Sequence, residues 1–126
     1  METLLPAPFP PLYRLLIARY RYLEVCTGSC YLLANPPSPG LEGLFDAMFR
    51  DQYLSAVLNQ RGFIQFGRPE NYDYDPVCFH TARRNPEGDM EVVQLDHEQI
   101  LCYEKIRVIS VLAPSFRALV EKSVAV

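Results

Sequence analysis

The sequence predicts an α+β fold: a single twisted, mainly antiparallel sheet of about six strands, packed by N-terminal, central and C-terminal helices. Three observations carry this. Leu41, Leu44, Phe45, Met48 and Phe49 recur at i, i+3, i+4, i+7 and i+8, the spacing of one helix face. Between Phe63 and Ile109, short runs rich in β-branched and aromatic residues follow one another across short links, which favours antiparallel pairing. Helices lie between and after these runs without a βαβ rhythm. A chain of 126 residues reads as one domain, 1–126, with residues 1–10 a proline-rich lead-in.

In chain order, Pro11 suits the first turn of a helix, where its missing N–H costs nothing. The helix is expected over Pro11–Ala18, with Leu12, Leu15 and Leu16 as its apolar stripe. Tyr20–Val25 and Cys30–Ala34 form a hairpin around Thr27-Gly28-Ser29. The prolines of Asn35–Gly40 forbid regular structure. The helix over Leu41–Phe49 follows, with Ser38 its candidate cap and Pro39 at its first position. Leu54, Val57 and Leu58 continue on a shifted face, giving a further helix capped by Asp51 and stopped by Gly62. Phe63–Phe66 is a strand closed by Gly67. Pro76–Phe79 and Val92–Leu95 flank a polar loop holding the Asn85-Pro86-Glu87-Gly88 turn signal. Ile106 and Val108 alternate with Lys105 and Arg107, a strand through Ile109. Pro114 opens a last helix whose stripe is Phe116, Leu119 and Val120. The helices are expected mainly on one face of the sheet.

The net charge of −3 hides an asymmetry. Residues 70–104 hold nine acidic residues against Arg83 and Arg84, a net of −7. Such a field repels nucleic acid and anionic lipid and favours a basic partner. Antiparallel pairing brings Asp73 and Asp75, before one strand, to the same edge as Asp96 and Glu98, after the next. With Tyr72 and Tyr74 these residues form an acidic, tyrosine-rich rim. Tyrosine beside carboxylates is a common interface composition, because the ring buries area while its hydroxyl stays paired. The alternative is a solvated face whose tyrosines cover the sheet edge.

Other chemistry is weakly supported. In an extended segment Asp96 and Glu98 share a face with His97 on the other, so the three do not converge on a metal. Cys78, His80, His97 and Cys102 lack the close pairs of structural zinc sites. Cys26 and Cys30 have three residues between them and are not a CxxC pair. There is no GxSxG elbow, no glycine-rich phosphate loop and no basic patch with interleaved aromatics. No catalytic residue, cofactor or metal is expected. Without a signal-peptide pattern or a long apolar run, the protein is expected to be cytoplasmic with reduced thiols.

Three segments together resemble the SUKH superfamily, in its Smi/Knr branch. They are Tyr74-Asp75-Pro76-Val77 with Phe79, Leu95-Asp96-His97-Glu98, and the Ser115-Phe116 dipeptide opening the last helix. Pro11, Leu15, Leu16 and Tyr20 fit more loosely, and the match is best over residues 63–123. The resemblance implies an α+β domain without catalysis. Bacterial members are typically immunity proteins that bind and neutralise a polymorphic toxin, often a nuclease; fungal members regulate cell-wall synthesis through protein contacts. The leading expectation is a toxin-binding immunity protein using Tyr72, Asp73, Tyr74, Asp75, Asp96 and Glu98. The runner-up is an intracellular scaffold, and a metal-dependent hydrolase is a distant third.

Overall fold

The computed structural model describes residues 5–71 and 74–124. Along the sequence run α1 (Pro11–Arg19), β1 (Val25–Cys26), β2 (Cys30–Leu32), α2 (Glu42–Met48), α3 (Gln52–Gln60), β3 (Phe63–Pro69), β4 (Val77–Arg84), β5 (Met90–Leu95), α4 (His97–Tyr103), β6 (Val108–Ala113) and α5 (Phe116–Val124). The six strands form one sheet in the order β1-β2-β3-β4-β5-β6. Every neighbouring pair is antiparallel. The α+β architecture is the one the sequence predicts. Among the described residues no helix is long and apolar enough to cross a membrane.

The pleat sends alternate residues to opposite faces. β4 turns Val77 and Phe79 to one face and Cys78 to the other; β5 turns Met90 and Val92 one way, Val93 and Leu95 the other. On the first face α1, α2 and α5 close over an aromatic cluster. Tyr13 lies at its centre, edge-on to Phe66, Phe79 and Phe116 at 5.6, 5.1 and 5.3 Å. On the second face α3 and α4 bury Leu54, Val57, Leu58 and Ile100 against Phe63, Cys78, Val93 and Leu95. Helices mainly on one face is therefore corrected. The central strands are covered on both sides, which is why they read as continuous apolar runs.

Several local expectations also shift. α1 buries Tyr13 and Ile17, while Leu15 stays 47% exposed. The large Tyr13 ring removes more area from water than the leucines would. The lead-in is tied to the core from Phe9, which packs on Tyr13 and Phe45. The first hairpin is short, and the buried Asn35 does part of its work. Its Nδ2 donates to the carbonyls of Ile17 and Tyr20, at 2.9 and 2.8 Å, satisfying the end of α1. β3 does not stop at Gly67 but runs on to Pro69. A Cβ at Gly67 would meet the Tyr31 carbonyl oxygen at 2.5 Å, so only glycine lets β2 approach there.

The helix starts are set by polar side chains. Ser38 accepts from Gly43 N at 3.1 Å, although the N-cap position of α2 is Leu41. Asp51 caps α3 as expected, accepting from Leu54 N at 3.0 Å, and Gly62 follows that helix at φ 85°. Asp89 is buried and accepts from Met90 N at 2.7 Å, Phe116 N at 2.9 Å and Arg117 N at 3.1 Å. It thereby joins the start of β5 to the start of α5. Ser115 completes the second of these caps, accepting from Ala118 N at 3.0 Å.

Candidate functional site

The β4–β5 pairing places Val77 opposite Gln94, so the segments just outside the two strands meet at one edge. Asp75 and Asp96 meet there as the pairing implies; His97, expected on the opposite face from Asp96, joins them, because the chain turns into a helix at Asp96. Tyr72 and Asp73 lie outside the described residues. What meets there is more internal than a rim. Asp75 is only 5% exposed. One of its oxygens accepts from Gln94 Nε2 at 2.9 Å; the other accepts from His97 N at 3.1 Å and lies 2.6 Å from His97 Nδ1.

Asp96 also has a structural task. The backbone does not stay extended beyond Leu95 but turns into α4, whose N-cap is Asp96. Its carboxylate accepts from Glu98 N at 2.9 Å and lies 3.4 Å from the exposed Arg107 guanidinium. Two carboxylates thus satisfy the first N–H groups of α4 and complement its dipole. The expectation that Asp96 and Glu98 share a strand face is corrected: Asp96 points back into the turn, while Glu98 is exposed on the helix.

Asp75, Asp96 and His97 bring ligand atoms within 4.8 Å of one another, the one such group among the described residues. Their carboxylates already accept from Gln94, His97 N and Glu98 N, so a cation there would share oxygens that serve the fold. Cys78, His80 and Cys102 do not join this group. Cys78 is fully buried and burial pushes its thiol up, away from the thiolate a metal needs. His80 stacks on Phe63 at 4.5 Å, with Glu91 3.6 Å from its Nδ1.

Burial alone would raise the Asp75 carboxyl. The hydrogen bonds from the His97 ring, His97 N and Gln94 outweigh it and hold the group below its ordinary value of 3.8. A depressed folded-state value means stability that is complete above the unfolded value and is lost as pH falls through the folded one. Asp75→Asn should therefore lower stability at neutral pH by about 1–3 kcal/mol. The gap between variant and wild type should narrow as pH drops below the ordinary carboxylate range. Urea unfolding at a series of acid pH values checks this; a gap that stays constant would show that the charge of Asp75 contributes nothing.

The exposed part of the site lies beside this knot. Tyr74 is 40% exposed. Its ring meets His97 edge-on at 5.6 Å, the Arg68 guanidinium sits 4.4 Å over it, and its hydroxyl donates to the Asp51 carboxylate. The bond from Leu54 N, together with the one from Tyr74, holds Asp51 below the ordinary carboxylate range. The bond to Asp51 in turn pushes the Tyr74 hydroxyl up. Tyr53, in the first turn of α3 and 47% exposed, repeats the arrangement by donating to Glu104 at 2.8 Å. Glu104 closes α4 in the left-handed region at φ 53°, and its carbonyl accepts from Arg61 at 3.0 Å. Tyr103 is exposed next to it.

Tyr53, Asp51 and Glu104 therefore extend the site beyond the residues expected from sequence. Their signal was present: Tyr53 falls off the Leu54, Val57, Leu58 stripe, and Asp96-x-x-Gln99 is a helix-start pattern. In comparisons with protein-family models, curated proteins and solved structures, nothing matches this sequence.

Proposed function

We propose that this protein is a non-enzymatic protein-binding domain of the SUKH type, an immunity protein that binds a basic toxin domain in the cytoplasm and neutralises it. The reading is supported chiefly by the two tyrosine–carboxylate pairs, Tyr74 with Asp51 and Tyr53 with Glu104. Each ring is exposed while its hydroxyl is already paired. A partner would meet apolar area fixed in place, so docking would lose little side-chain entropy. A nuclease that grips phosphate must present basic residues. Exposed Glu98 and Glu104 lie within the segment of net −7 and suit such a face.

The proposed contact is shifted from the one the sequence alone suggests. Tyr74 and Glu98 remain in it, joined by Tyr53 and Glu104. Asp75 and Asp96 support it from within by holding the start of α4. Tyr72 and Asp73 belong to the same proposed contact through their place beside Tyr74 in the sequence. Reading the adjoining gene and co-expressing any toxin domain it encodes with this protein tests the proposal. Growth should be restored and the two proteins should copurify as a complex. Persistent toxicity with no complex would remove the immunity reading and favour the scaffold.

A further inference from the structure

We draw no further inference here: the strongest candidate, the edge strand β6 with Val108, Ile109 and Val111 exposed, is an unpartnered apolar face, and nothing in the structure shows what covers it.

Discussion

Replacing Phe116 by alanine should lower folding stability by about 3–5 kcal/mol. The side chain is 1% exposed and marks the start of α5. Its ring stands edge-on to Tyr13, Phe66 and Phe79 at 5.3, 5.9 and 5.8 Å. Phe66 and Phe79 stack on each other at 3.9 Å, and both sit in the sheet. They cannot move into the space that the lost ring would leave. The cavity term therefore adds to the lost transfer energy in place of being relieved by collapse. Denaturant unfolding of Phe116→Ala, compared with Phe116→Leu, measures this. An alanine variant with an unchanged midpoint would show that α5 is not held to the sheet through this residue.

Replacing Asp89 by alanine should cost about 2–3 kcal/mol, more than an ordinary helix cap. The carboxylate serves three backbone donors in two elements, Met90 N in β5 and Phe116 N and Arg117 N in α5. All three lose their acceptor at once, in a place where Met90 and Phe116 are buried and water has little access. Asp89→Asn keeps one acceptor oxygen and should lose roughly half as much. Glu87→Ala, in the exposed turn nearby, is the control and should change little. Equal midpoints for Asp89→Ala and Glu87→Ala would refute the bridging role.

The parts of the fold that were legible in the sequence are those where periodicity or turn chemistry acts alone. The stripe through Leu44, Phe45 and Met48, the Asp51 cap and the last helix with Phe116 and Leu119 are of this kind. α4 left only the Asp96-x-x-Gln99 start pattern, with no stripe to support it, because it buries only Ile100, and Asp96-His97-Glu98 reads equally well as a strand end. β6 was placed too early because it is an edge strand. Val108, Ile109 and Val111 are all exposed there, and no inward–outward alternation marks it. The acidic rim was legible as charge but not as placement. Among the nine acids of residues 70–104, Asp75, Asp89 and Asp96 hold helix starts. Which carboxylates face solvent depends on where helices begin, and here one of those helices was hidden.

The central claim is that the surface of Tyr53, Tyr74, Glu98 and Glu104 receives a basic partner. Its most direct test is the association rate with the toxin domain, measured against salt for wild type and for Glu98→Lys with Glu104→Lys. Close charged pairs across such an interface couple by about 1.5–7 kcal/mol, and complementary fields act mainly on association. The wild type should associate rapidly at low salt and slow steeply as salt rises. The double variant should keep its fold, associate more slowly, and show a flattened salt dependence. A double variant that associates at the wild-type rate with the wild-type salt response would contradict the account and place the contact elsewhere on the protein.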